Sequence, residues 1–152
     1  MGSVTVKVTG LRELGEAMRG LSREMNLKIA RSATGRAASV IRKRARELAP
    51  VYKEDYVVKG VKVPRGNVRD NIVAKRVSPS ETRFTSEHLV VVRGGRKNGY
   101  ASLIAAFDEF GTVKMTPRPF MRPAFDQEKG FAVGRIKQAI AEGIAKAATV
   151  KK

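Results

Sequence analysis

The chain has 152 residues, enough for one domain with a single sizeable core. It has no cysteine, which excludes disulfides, thiolate catalysis and cysteine-based zinc sites, and it has no apolar run long enough to cross a membrane. We therefore expect a soluble, non-secreted protein. Its 31 lysines and arginines against 14 acidic residues give a net charge of +17, which attracts nucleic acid or an acidic protein surface.

The first predicted elements are a strand followed by two helices. Valines alternate with other residues over Val4–Val8 and predict a strand, and the apolar spacing of Leu11–Leu21 predicts a short amphipathic helix. Ser22 is a good N-cap for a longer second helix over Arg23–Ala49, which Pro50 ends. The core face of this helix is expected to carry Met25, Ile29, Ala33, Ala37, Val40, Ile41 and Leu48.

Cations gather near the C-terminal end of the second helix. Arg42 and Arg46 lie opposite the apolar arc, whereas Arg44 projects inside it. Snorkelling past the helix end explains Arg44, and cations at this end also complement the helix dipole. The alternative is a cluster that contacts an acidic partner or a phosphate backbone, formed by Arg42, Lys43, Arg44 and Arg46.

The stretch from Val51 to Arg65 is basic and carries two tyrosines. It is either a mobile loop or a strand hairpin, and Gly60, Pro64 and Gly66 favour a flexible loop. Basic residues interleaved with tyrosines are typical of a nucleic-acid contact, because aromatic rings stack on bases, although a solvated loop is commoner. The cations that would make the contact are Lys53, Lys59, Lys62 and Arg65.

Two further strands and a short helix follow. Ile72–Val77 and His88–Arg93 read as strands, and the continuous Leu89–Val92 run of the second favours burial on both faces or a central position. Tyr100–Phe107 is predicted to be a short buried helix or turn. After it, Gly111 can adopt the positive φ that a chain reversal requires.

Three prolines restrict the segment Pro117–Pro123, which we call the proline strap. Phe120 and Met121 are anchors on this strap, either for the protein's own core or for a neighbouring subunit, and they are flanked by Arg118 and Arg122. Pro123 suits the first position of a last helix. The apolar stripe of that helix is Phe125, Val133, Ile136, Ile140 and Ile144, and Phe131 lies off it as a partner contact or an incidental exposed residue.

Catalytic chemistry is nearly absent from the sequence. His88 is the one histidine, so no multi-histidine metal site and no histidine-based triad with cysteine can form. Asp108 and Glu109 are adjacent and should point in different directions, unlike a pair of hydrolase carboxylates. Glu109, Gly111 and Thr112 are expected to brace a turn. We predict no enzyme activity, no cofactor, no metal and no small-molecule substrate.

Several motifs resemble one family. Tyr100-Ala101, the turn Glu109–Thr112 and the run Pro117–Phe125 are similar to the small neck, or head–tail joining, proteins of long-tailed bacteriophages, also known as minor tail or tail-completion proteins. Upstream, Gly10–Leu14 matches as well, as does Ala49-Pro50 before Gly66–Ile72. The resemblance spans nearly the whole chain and departs from the family at 51–65, which is longer than the usual link.

The patterns predict a single α+β domain in which a small, mostly antiparallel sheet is covered by the second and last helices. The resemblance implies a structural virion protein, assembled in the host bacterial cytoplasm, that forms a homo-oligomeric ring around the DNA conduit between the head connector and the tail tube or tail terminator. Interface residues would be Arg118, Phe120, Met121, Arg122 and Phe131. The alternative function is a small basic DNA- or RNA-binding protein.

Overall fold

The computed structural model describes residues 10–78 and 86–150. The predicted strand Val4–Val8 lies outside these residues. The described part is α+β, with a 3-10 turn at Arg96–Asn98 and two small antiparallel sheets. In chain order the elements are α1 (Leu11–Arg19), α2 (Arg23–Leu48), β1 (Tyr56–Val58), β2 (Val61–Val63), α3 (Asn67–Asp70), β3 (Ile72–Arg76), β4 (His88–Val92), α4 (Ala101–Phe110) and α5 (Met121–Val150).

The boundaries of α2 confirm the sequence prediction. The Ser22 hydroxyl oxygen accepts a hydrogen bond from the Met25 backbone N–H at 3.4 Å, which caps the first turn. Ala49 leaves the helical region with ψ 131°, as expected of a residue that precedes proline. Both ends of α2 are therefore set by residues next to them in the sequence.

Helices α2 and α5 pack together through small side chains. At Gly143 the two helices are so close that an added Cβ would lie 2.7 Å from Ile29 Cγ1. The predicted stripe of α5 flanks this seam and is only half-buried, and Phe125 is 48% exposed, because alanines occupy the buried face. These alanines are Ala33, Ala37, Ala38 and Ala45 from α2, and Ala124, Ala132, Ala139 and Ala147 from α5.

The 51–65 segment contains a hairpin, so the favoured loop prediction was wrong and the alternative holds. Strands β1 and β2 pair antiparallel, with Tyr56 opposite Val63 and Val58 opposite Val61. Val63 is fully buried and belongs to the main core. The turn uses Lys59 at φ 47° and Gly60 at φ 74°. Gly60 marks the turn of the hairpin and Pro64 follows its second strand, so these residues bound the valine-rich strands and do not prevent them.

Strands β3 and β4 form the second antiparallel pair, from Ile72 opposite Val92 to Arg76 opposite His88. Both strands were predicted, but burial of β4 on both faces was wrong. Within the described residues β4 pairs with β3 alone, and Leu89 is 50% exposed. His88 lies on the face toward α2, where its Nδ1 is 2.9 Å from the Thr34 hydroxyl oxygen.

The main core lies where α2, β2, α3, β3, α4 and the start of α5 meet. Phe120 is its largest fully buried side chain, with no exposed surface. The core residues are Ala45, Ala49, Val63, Val68, Ile72, Ile104, Ala105, Phe120 and Ala124. Among the described helices, none is both long and apolar enough to span a membrane.

Candidate interaction surfaces

A buried carboxylate clamps the end of the proline strap. Glu109 in α4 is 6% exposed, and its Oε2 accepts the backbone N–H groups of Phe120 at 2.8 Å and Met121 at 2.9 Å. Its Oε1 accepts the backbone N–H and the Nε–H of Arg122, both at 3.2 Å. One side chain thus satisfies three N–H groups at the beginning of α5, which lack partners within the helix.

This clamp explains why α5 begins at Met121 and not at Pro123, as the sequence had suggested. Phe120 already accepts the first helical bond, from the Ala124 N–H at 3.1 Å. Pro123 lies within the first turn, where its missing N–H costs no helical bond. A carboxylate at a helix N-terminus is also favoured by the helix dipole. Glu109 therefore braces the strap and not the turn at Thr112.

The electrostatics of Glu109 follow from this geometry. Burial alone would raise the pKa of its carboxyl, but the hydrogen bonds from Phe120, Met121 and Arg122 outweigh burial and hold the pKa below its ordinary value. The carboxylate is consequently ionised at neutral pH. Its charge is matched by the Arg122 guanidinium, which also lies 4.9 Å from the centre of the Phe110 ring.

Asp108, the residue before Glu109, has a carboxyl in a different environment. It is fully buried, and its Oδ1 accepts the Tyr52 hydroxyl at 2.7 Å. Burial raises the pKa of Asp108, against the opposing effects of the Tyr52 hydrogen bond and of Arg118. Burial and the bond to Asp108 likewise raise the pKa of Tyr52 above its ordinary value. The two adjacent carboxyls therefore point apart, as predicted, and their pKa values shift in opposite directions.

A tight turn separates α4 from the strap. Gly111 has φ 75°, and a Cβ there would lie 2.7 Å from the Met115 carbonyl oxygen and 2.8 Å from Pro117. Thr112 exchanges backbone hydrogen bonds with Met115, and the Thr112 hydroxyl accepts the Lys114 N–H at 3.3 Å. Gly111 and Thr112 occupy the turn positions that the sequence suggested.

The strap itself presents arginines and not its aromatic residue. Phe120 is buried in its own subunit, so it offers no surface to a partner, whereas Met121 is half-buried against the core. Arg118 is exposed, with its guanidinium 5.5 Å from the Tyr52 ring centre, and the Arg122 side chain is 66% exposed. Phe131 on α5 is 60% exposed.

An exposed apolar group, which the sequence analysis missed, lies at the end of α4. We call Phe107, Phe110 and Val113 the α4 knob: Phe110 is 68% exposed and Val113 is fully exposed. The two phenylalanines are three residues apart on one helix, so they are neighbours on its surface. The signal was present in the spacing, but Phe107 was assigned to a buried helix or turn over Tyr100–Phe107, and Phe110 was placed in the turn after it.

The predicted cations divide into separate groups. Arg42, Lys43 and Arg46 line an open groove of about 450 Å³ together with Arg69, and Arg46 Nη2 lies 3.5 Å from Asp70 Oδ1. Arg44 turns away, donating to Gln127 at 2.7 Å and to Glu47 at 2.9 Å. Lys53, Lys59, Lys62 and Arg65 are exposed on the hairpin segment, and none of them lines this groove.

A wider groove, which we call the arginine groove, has a volume of about 820 Å³. It lies between α2, α5 and the β3–β4 sheet, with Arg42 and Lys43 at one end and Phe131 in its wall. Its remaining cations, which the sequence analysis did not single out as part of one site, are Arg31, Arg36 and Arg135. In the described residues, no group of three or more metal-ligating side chains gathers.

The fold and these surfaces define a class: a small α+β protein whose distinctive residues build a clamp, an apolar knob and basic grooves. The family model described as "Bacteriophage HK97-gp10, putative tail-component" matches residues 12–111, more than half of the chain. The chain therefore belongs to the HK97-gp10-like family and is a bacteriophage tail component, located in the virion. Neither the curated proteins nor the solved structures gave a match.

The matched region ends at Gly111. It contains Glu109 and most of the α4 knob, whereas the proline strap and α5 lie beyond it. The family membership consequently rests on α1 through α4, and the strap joins this region through the Glu109 clamp.

Proposed function

We propose that this protein is a neck or tail-completion component that joins the head connector to the tail tube or tail terminator. Several copies form a ring around the DNA conduit, in the neck of a particle assembled in the bacterial cytoplasm. Its role is structural, without catalysis or a small-molecule substrate. Membership of a tail-component family supports a location in the phage tail, and the surface of the subunit supports the joining role.

The observation that carries the proposal is the α4 knob. Single exposed apolar residues are ordinary, but Phe107, Phe110 and Val113 stand within seven residues at the end of one helix. A second apolar surface is a groove of about 590 Å³ between α2, α5 and β4, with Leu89, Phe125 and Ile136 in its lining. A ring needs two different surfaces that meet between neighbours, and the subunit offers both.

Charge supports the same pairing. Lys114, beside Val113, is exposed, and the lining of the apolar groove contains Glu87 and no lysine or arginine. In a chain of net charge +17, a groove without lysine or arginine is a favourable place for a cationic knob.

The test is Val113→Asp in the phage, with Val57→Asp as a matched control on β1, where Val57 is 68% exposed. The knob variant should leave filled heads and unattached tails in electron micrographs, and the control should give complete particles. Mass analysis of intact virions should give several copies per particle. A single copy, or normal joining by Val113→Asp, would contradict the proposal.

A further inference from the structure

The arginine groove carries five cations and no carboxylate in its lining. Arg31, Arg36, Arg42 and Lys43 come from α2, and Arg135 comes from α5. His88 and the serines Ser32 and Ser39 complete its polar surface. Like charges that line one groove repel one another, so an anion in the groove would be favoured electrostatically.

Most of these cations lack an acidic partner within the described residues. Arg36 is the exception, since its Nη1 lies 2.7 Å from Glu142 Oε2. Among the described residues, Arg135 donates only to the neutral Gln138, at 3.1 Å. The groove therefore has donors that a bound carboxylate or phosphate would satisfy.

The exposed ring of Phe131 favours a protein carboxylate over a nucleic-acid phosphate as the ligand of the groove. It is 60% exposed in the groove wall, with the Arg135 guanidinium 5.9 Å from its ring centre, and Val40 and Ala74 add further apolar surface. The bases of a DNA duplex are stacked on one another and offer no free face to the Phe131 ring, and its backbone presents only sugars and charged phosphates. A protein segment with acidic residues around an aromatic side chain would cover Phe131 and pair with the arginines, and aromatic and arginine residues are enriched at protein interfaces.

We propose that the arginine groove binds an acidic protein segment that carries an aromatic anchor, supplied by another protein of the virion. This surface is separate from the knob and adjoins the apolar groove of the ring interface, with which it shares His88. The inference rests on the tail-component role but not on the ring, because an adaptor at any tail position would use the groove in the same way.

The test uses the purified full chain and three fluorescent polyanions: a random glutamate–tyrosine copolymer, poly-glutamate and duplex DNA of similar total charge. The copolymer should bind up to about tenfold more tightly than poly-glutamate, because an aromatic contact adds to the ionic ones. Phe131→Ala should remove this difference without changing the affinity for poly-glutamate. Tighter binding of DNA than of the copolymer, or no effect of Phe131→Ala, would overturn the proposal.

Charge reversal provides the second comparison. Arg31→Glu and Arg135→Glu should each weaken copolymer binding and flatten its dependence on salt. Lys75→Glu and Lys97→Glu are the controls, since both lysines are exposed outside the groove and each substitution changes the net charge by the same amount. Equal weakening by groove and control variants would show that only net charge matters and would refute the site. Thermal melting confirms that each variant is folded, and exposed Arg135 keeps the test available if Arg31→Glu unfolds.

Discussion

At the scale of single residues, the adjacent carboxyls of Asp108 and Glu109 show how position decides chemistry. Both are almost completely buried, yet one accepts backbone N–H groups at a helix start and the other faces a tyrosine hydroxyl. For Glu109 the hydrogen-bond donors lower the pKa more than desolvation raises it, whereas for Asp108 desolvation has the larger effect on the pKa. The sequence indicated that the two would diverge, but the partners of each come from distant segments.

Glu109→Gln should destabilise the protein at neutral pH by roughly 1.5–3 kcal/mol, because the charge-assisted bonds to the start of α5 are lost. The folded-state pKa is lowered, so the stabilisation is present above the unfolded pKa and disappears as pH falls through the folded pKa. Urea unfolding at neutral and at acid pH measures this. The unfolding free energies of the variant and the natural chain should converge at acid pH. A difference between them that stays constant across pH would contradict an ionised Glu109 clamp.

Asp108→Asn should behave in the opposite way. The folded-state pKa is raised, so protonated Asp108 stabilises the fold below its unfolded pKa, and this contribution is lost as pH rises through the folded pKa. An asparagine imitates the neutral carboxyl and still accepts the Tyr52 hydroxyl. We expect unchanged or higher stability at neutral pH, by the same urea titration. A clear loss of stability at neutral pH would show that the charge itself is needed.

Phe120→Ala should cost about 3–5 kcal/mol of unfolding free energy, because the side chain is fully buried in the main core. Phe131→Ala is the matched control: the same side chain is removed from an exposed site, and thermal melting should hardly change. If both variants melted like the natural chain, Phe120 would not be the core anchor that its burial indicates.

At the scale of elements, the sequence was sufficient to predict a helix or strand where adjacent residues determine its ends. Ser22 and Pro50 mark the two ends of α2, and apolar runs flanked by glycine and asparagine predicted β3 and β4. Prediction failed where distant residues decide the outcome. The start of α5 depends on Glu109 in another helix, and the burial of β4 depends on which strands pair with it. The groove cations were scattered along the chain, so only the packing of α5 on α2 brings them together.

The turn between α4 and the strap gives an element-scale prediction. Gly111→Ala should destabilise by about 1–3 kcal/mol, since an alanine is strained at φ 75° and its Cβ would strike the Met115 carbonyl. Gly130→Ala should instead stabilise by up to about 1 kcal/mol, because it lies within α5 with open space around it. Paired thermal melts test both, and an unchanged melting temperature for Gly111→Ala would argue against the turn geometry.

At the scale of the whole molecule, charge of one sign dominates. A net charge of +17 repels itself in the folded state, and exposed pairs such as Arg36–Glu142 compensate only weakly. Added sodium chloride screens the repulsion, so the melting temperature should rise by a few degrees from low to physiological ionic strength. A melting temperature that falls with salt would mean that attractive ion pairs prevail over net repulsion.

The Glu109 clamp also bears on how this protein can be dissected. The family-matched region ends at Gly111, but its main core is completed by Phe120 and Ala124 from beyond that point. A fragment cut at Gly111 would keep the carboxylate and lose every N–H group that it accepts. The part of the chain by which the family is identified is therefore not an autonomous folding unit, and truncation libraries built on that boundary should yield insoluble or unfolded fragments.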